Sequence, residues 1–147
     1  MSMNNLHAGG ELPDNFPVPL RTLVVDDSTV FLESLCLYLK SNPLFEVFAT
    51  AADGSEALRM ALIHKPDLVL MDLNMPVMDG LKTTVVLRQC MPNLRIIIMT
   101  LEDTAESKAR AHGAHGFICK QAIMNDLILK TEVRRAFHPT HPKNRSR

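Results

Sequence analysis

The chain has 147 residues, enough for one compact domain with a single good core. Sixteen basic residues balance sixteen acidic ones, 46% of the residues are hydrophobic, and tryptophan is absent. This argues against a charge-driven nucleic-acid surface and against an aromatic platform for single strands, and no run approaches the ~18 apolar residues of a membrane span.

Residues 1–19 set Gly9-Gly10, Pro13, Pro17 and Pro19 among polar residues and read as a mobile leader, without the basic and apolar regions of a secretory signal. The run Thr22-Leu23-Val24-Val25 is short and β-branched. It ends at Asp26-Asp27-Ser28, where Ser28 or Asp27 can cap a helix with Phe31, Leu32, Leu35, Cys36 and Leu39 at spacings of three and four. Asn42-Pro43 stops that helix. Residues 46–51 read as a strand and 54–64 as a helix with Ala57, Leu58, Ala61 and Leu62 on one face. Residues 67–71 are apolar without alternation, as in a strand covered on both sides. The loop 72–80 leads into a helix to about Gln89. Arg95-Ile96-Ile97-Ile98-Met99 is another apolar strand, ending at Thr100. A more polar helix is expected over 104–112, with Gly113 as its C-terminal cap, then a strand over 116–119 and a last helix over 123–137. Residues 138–147 read as a basic tail or linker.

Five strand–helix units with short loops predict an α/β, doubly wound, five-stranded parallel sheet, a flavodoxin-like (βα)5 arrangement in three αβα layers over residues 20–137. Cys36, Cys90 and Cys119 are odd in number and form no CxxC pair. They read as reduced cysteines, two of them inside apolar patterns, and fit a reducing, cytoplasmic setting. His112 and His115 read as solvated loop histidines, and Met71, Met75 and Met78 as packing.

In such a sheet, ligands bind at the carboxyl ends of the strands. The first strand delivers Asp26 and Asp27 there, the third Asp72, the fourth Thr100 and the fifth Lys120. Asp and Thr often cap helices after strands, but three carboxylates, a hydroxyl and an ammonium converging on one edge exceed what capping needs. Crowded carboxylates repel unless a cation joins them, and Mg²⁺ suits one or two carboxylates, waters and phosphate oxygens. Lys120 and Thr100 supply positive charge and a donor for phosphoryl oxygens, and a carboxylate can be the nucleophile. Asp72, from the middle of the set, is the expected acceptor.

The stretches LVVDDS (23–28), AADGSEAL (51–58), PDLVLMDLNMPVMDGL (66–81), RIIIMT (95–100) and GAHGFICK (113–120) resemble, in order, the receiver domain of two-component response regulators, closest to the chemotaxis regulator and NarL/FixJ-type receivers. The resemblance implies that Asp72 is phosphorylated and that Asp26, Asp27, Asp72 and the backbone carbonyl of Asn74 hold Mg²⁺. It implies that Thr100 and Lys120 read the phosphoryl group and that Phe117 is the aromatic switch. A sensor histidine kinase or histidine phosphotransfer protein would be the donor. Output would run through the fourth helix, fifth strand and fifth helix, to a partner or homodimer the sequence leaves unspecified. Nucleic acid enters only if the chain is the receiver part of a longer DNA-binding regulator. The family usually has a small residue where Leu101 stands, and often a cis proline where Gln121 stands. A non-proline cis bond costs about 3–4 kcal/mol. The weighed alternatives are a Mg²⁺-dependent phosphatase or phosphotransferase with an Asp nucleophile, and a binding-only receiver.

Overall fold

Apolar runs and amphipathic stretches alternate through ten elements in the computed structural model, which describes residues 16–137. They are β1 (Leu20–Val25), α1 (Thr29–Lys40), β2 (Phe45–Ala51), α2 (Gly54–His64), β3 (Leu68–Asp72), α3 (Gly80–Cys90), β4 (Arg95–Thr100), α4 (Glu106–Ala111), β5 (Gly116–Cys119) and α5 (Asp126–Phe137). The five strands form one parallel sheet in the order β2-β1-β3-β4-β5. The order reverses beside β1, which opens the crevice between the carboxyl ends of β1 and β3. The expected basic tail, 138–147, and residues 1–15 of the leader lie outside the described residues. Phe16 packs edge-on against Phe137, with ring centroids 5.0 Å apart.

Each strand splits its side chains between two cores. Leu23, Val25, Val69, Met71, Ile96 and Ile98 face Ala57, Ala61 and Leu87 of α2 and α3; Val24, Leu68, Leu70, Ile97 and Met99 face Leu35 and Leu39 of α1 and Leu129 and Val133 of α5. All five residues of β3 are buried, as a central strand covered on both faces requires. The helices begin where short polar side chains accept from their first turns. Ser28 accepts from Phe31 N, Asp53 from Glu56 N and Asp79 from Lys82 N. Glu56 reaches back past the Asp53 cap, its Oε1 accepting from Ala52 N–H at 2.9 Å.

Two helix starts differ from expectation. α4 begins at Glu106 rather than near Thr104, because Ala105 N–H turns back to Glu102 O and no side chain caps the helix. α5 begins at Asp126 rather than Ile123. Asn125 Oδ1 accepts from Ile128 N at 3.0 Å and fixes the helix start, while Ile123 is a buried anchor in the preceding turn. Gly113 ends α4 at φ 107°, a backbone region that favours glycine.

Candidate functional site

β3 and β4 end in a buried polar residue, Asp72 and Thr100, and β1 is followed directly by another, Asp26. The backbone around Asp72 is tied on both sides. Leu73 N–H donates to Met99 O at 3.0 Å, extending the β3–β4 ladder past the acid, and Gly80 N–H donates to Leu73 O at 2.9 Å. Gly80 has to be glycine for that approach, since a Cβ would stand 2.2 Å from the Asp72 carbonyl oxygen. The first turn of α3 is thereby pressed against Asp72's own backbone. Asp27 follows Asp26 and is exposed.

One carboxylate oxygen from each of Asp26, Asp27 and Asp72 lies within 4.8 Å of the others. Lys120 Nζ reaches into the group, 2.6 Å from Asp26 Oδ2 and 3.3 Å from Asp72 Oδ1. The ammonium also rests 4.6 Å from the Phe31 ring centroid, which fixes its approach from the α1 side. Gln121 in place of the family's frequent proline therefore leaves Lys120 aimed at the acids. Asp26 Oδ1 accepts from Ser28 N–H at 2.8 Å, whereas the buried Oδ2 has the ion-pair contact with Lys120 but no aligned hydrogen bond. Thr100 Oγ1 accepts from Glu102 N–H at 3.1 Å, leaving its own proton to donate.

Burial above all, then the neighbouring Asp26 charge, pushes the Asp72 carboxyl up to about 6 against the pull of Lys120. Burial alone would lower Lys120, but its contacts with Asp26 and Asp72 outweigh that and raise it. Three close carboxylates, one buried oxygen without an aligned donor, and a single ammonium form a site still short of positive charge. A small divalent cation with oxygen ligands fits that donor set. Asn74 lies exposed in the loop after β3, two residues beyond Asp72. Between that loop and the one after β4 is a cavity of about 260 Å³ bordered by Asn74, Asp79, Glu102 and Lys108. A larger groove, about 500 Å³, lies away from the acids among Leu62, Met91 and Phe137, so size does not mark the site.

The structure brings together Asp26, Asp27, Asp72 and Lys120 and sets Thr100 at the end of the strand next to Asp72. Phe117 is buried on the face that α4 covers. One reading needs correction. His112 is exposed, but His115 is not a solvated loop residue: its Nδ1 accepts from Ile96 N–H at 3.1 Å and its Nε2 lies 2.8 Å from Arg88. Two side chains about this edge escaped the sequence reading. The Phe31 ring under Lys120 looked like core, and Glu132 fell within the last helix with no partner assigned to it; its lone negative charge among Lys130, Arg134 and Arg135 was the available signal.

Residues 22–132 match the family model described as the response regulator receiver domain. The chain is 35% identical over 113 residues to the oxygen regulatory protein NreC of Staphylococcus haemolyticus, covering 75% of this chain and 52% of that protein. It is 39% identical over 105 residues to a protein-glutamate methylesterase/protein-glutamine glutaminase of Nitratidesulfovibrio vulgaris, covering 69% of this chain and 29% of that protein. The crystal structure of a LuxR-family two-component response regulator from Aurantimonas superimposes with TM-score 0.72 at 32% identity, over 80% of this chain and 85% of that one. The chain spans about half or less of the length of these curated relatives. Among the described residues, no helix is long and apolar enough to cross a membrane. By matched family model, strand order and acidic edge alike, this chain belongs to the receiver domains of two-component response regulators.

Proposed function

We propose that Asp72 accepts a phosphoryl group from a phosphohistidine on a sensor histidine kinase or histidine phosphotransfer protein. The observation that carries this reading is the three-carboxylate cluster with Lys120 Nζ 2.6 and 3.3 Å from two of its members. An Asp72 oxygen attacks phosphorus in line, the O–P bond forms as the P–N bond breaks, and the departing imidazole takes up a proton. Asp26, Asp27, Asp72 and the Asn74 carbonyl would hold Mg²⁺, whose chemistry when bound is to offset the acids' repulsion and the charge on the phosphoryl oxygens. Lys120, already inside the pocket, turns from the acid pair to a phosphoryl oxygen. Thr100 donates its free hydroxyl proton to another, and Phe117 packs against the space Thr100 leaves. Because Phe117 is already buried, the switch requires little movement of the ring and more of the loop that carries Thr100.

A protein donor is favoured by an apolar rim. Val30 (76% exposed), Val77 (85%) and Leu101 (66%) stand on the first turn of α1 and the loops after β3 and β4, all at the acceptor's end of the sheet. Large apolar side chains in that setting suit a partner surface better than a small phosphodonor. Output would pass through α4, β5 and α5, to a protein partner or second copy, or to DNA where the receiver is joined to a DNA-binding domain.

The test is intact mass after incubation with a phosphodonor and Mg²⁺. Wild type is expected to gain one phosphoryl group and Asp72→Asn none. Wild type that gains nothing even from its kinase would leave a binding-only receiver, and multiple turnover on a simple phosphomonoester would turn the assignment to a phosphatase.

A further inference from the structure

β5 is an edge strand, so amides on its outer side have no neighbouring strand to bond. Phe117 N–H donates instead to Glu132 Oε1 of α5 at 3.2 Å. The Glu132 side chain is 12% exposed, and the same oxygen lies 3.7 Å from the Arg110 guanidinium of α4. Arg110 is braced from the other side, donating to His115 O at 3.3 Å and pairing with Glu106 at 2.9 Å. Gly116 makes room for this arrangement, since a Cβ there would stand 3.3 Å from Glu132 Oε1 and 3.0 Å from Ile97 Cγ1. One carboxylate thus joins α4, β5 and α5 at the edge of the sheet, beside the backbone of Phe117.

The Phe117 ring is 7% exposed and belongs to the same core as Ala105 and Ala109. Arg110 and Glu132 meet at the outer edge of β5, between α4 and α5 and beside the Phe117 backbone. We propose that the Arg110–Glu132 pair is a gate that holds the Phe117 ring in its buried position, because the ring cannot swing to the sheet edge without parting the pair. A buried ring is also the packing that phosphorylation is proposed to select, so the closed gate raises the population ready to take a phosphoryl group. That consequence rests on the reading of Asp72 given above; the gate itself does not.

The chain has no tryptophan, so Phe117→Trp provides a single tryptophan in the full chain, excited selectively beyond the absorption of Tyr38. Without any phosphodonor its emission is expected to be blue-shifted, and to move red when Arg110→Gln or Glu132→Gln is added. Glu132→Gln keeps an acceptor for the Phe117 amide while removing the charge that attracts Arg110. Amide exchange at Phe117 should therefore stay near wild type in that variant, which separates an opened gate from a damaged strand edge. Tryptophan is larger than phenylalanine, so the Phe117 ring-proton shifts of the two single variants are compared in the otherwise native chain as well. There, half-occupancy of the acceptor by beryllium fluoride with Mg²⁺ should need roughly two- to fivefold more of the mimic, the scale of a partly exposed ion pair. Emission and ring shifts unmoved in both variants would overturn the gate. A moved ring with an unmoved occupancy midpoint would overturn its coupling to Asp72. A wild type that binds no beryllium fluoride while the ring still responds would fail the phosphorylation reading and leave the gate standing.

Discussion

The two ends of the sheet are built on opposite terms. At the amino end, Arg21 donates to His64 O at 2.7 Å and Lys65 O at 2.9 Å, stacks 4.7 Å from the Phe48 centroid, and gives its backbone N–H to Asp67 at 2.8 Å. His115 is held neutral as an acceptor, its pKa lowered to about 4 by burial and then by Arg88 and Arg95. At the carboxyl end, three acids crowd one ammonium, Asp72 is pushed up to about 6, and Val77 takes φ 69° in the loop beside it. At the first end most polar groups find partners within the chain, the buried Arg95 Nε apart; at the second, like charges crowd together and the buried Asp26 Oδ2 has no aligned donor. The difference separates the end where charge is met within the chain, and stability is made, from the end where like charges are left crowded, and stability is given up.

The largest effect should come from making the same change at both ends. Gly80→Ala forces a Cβ to 2.2 Å from the Asp72 carbonyl, where backbone must move, and should cost about 3 kcal/mol. Gly113→Ala meets the flexible Arg88 side chain at 3.0 Å and mainly suffers from φ 107°, so about 1 kcal/mol is expected. Urea midpoints at equal m-values measure both. Equal losses would mean that the backbone of Asp72 is no more tightly packed than an ordinary helix end.

Charge gives the next contrast. Asp72→Asn removes a buried carboxylate crowded by Asp26 and should stabilise the metal-free chain by up to about 2 kcal/mol. It should also abolish most of the rise in midpoint that Mg²⁺ gives wild type. A metal-free chain weakened by the substitution would show that Lys120 already compensates the acids. Smaller again is the pH dependence at the other end. His115 has a folded pKa below its ordinary value of 6.5, so the unfolded chain binds the extra proton first. Its contribution is complete above about 6.5 and is lost as pH falls towards 4. His115→Asn, which keeps an acceptor for Ile96 N–H, should flatten that part of the stability profile by about 1 kcal/mol, after allowance for partial solvent screening. An unchanged slope would place the titration elsewhere.

These contrasts also divide what the sequence discloses. The strands were legible because β3 and β4 are unbroken apolar runs, and the clustering of polar residues at one edge because Asp26, Asp72 and Thr100 each close or follow such a run directly. Caps were legible too: Ser28 acts three residues upstream of its partner, a local relation. His115, Glu132 and the start of α4 were not. His115 became an acceptor only once β4 brought Ile96 alongside, and Glu132 became buried only once α5 met the edge of β5. Both relations join residues 15 or more apart in the chain. Periodicity finds faces, but the partner of a polar side chain is set by topology.

The smallest effects on stability test whether the apolar rim of the carboxyl end is functional. Val77 sits in a γ-turn closed by Met78 N–H to Pro76 O at 2.7 Å, with a positive φ that a β-branched residue resists. Val77→Gly should relieve that strain, lose part of the gain to the freer unfolded chain, and stabilise by about 1 kcal/mol. Leu101→Ala should change stability by less than about 0.5 kcal/mol, because the side chain is largely in water. Its expected effect is kinetic. Leu101 follows Thr100 directly, in the loop whose Glu102 N–H holds the Thr100 hydroxyl, and its bulk is expected to screen Asp72 from small donors and from hydrolytic water. Removing it should speed both phosphoryl gain from a small phosphodonor and phosphoryl loss, while transfer from a protein donor gains less. Unaltered gain and decay in Leu101→Ala would mean that the rim plays no part in access, and that the exposed side chain at the strained end is as incidental as any at the satisfied one.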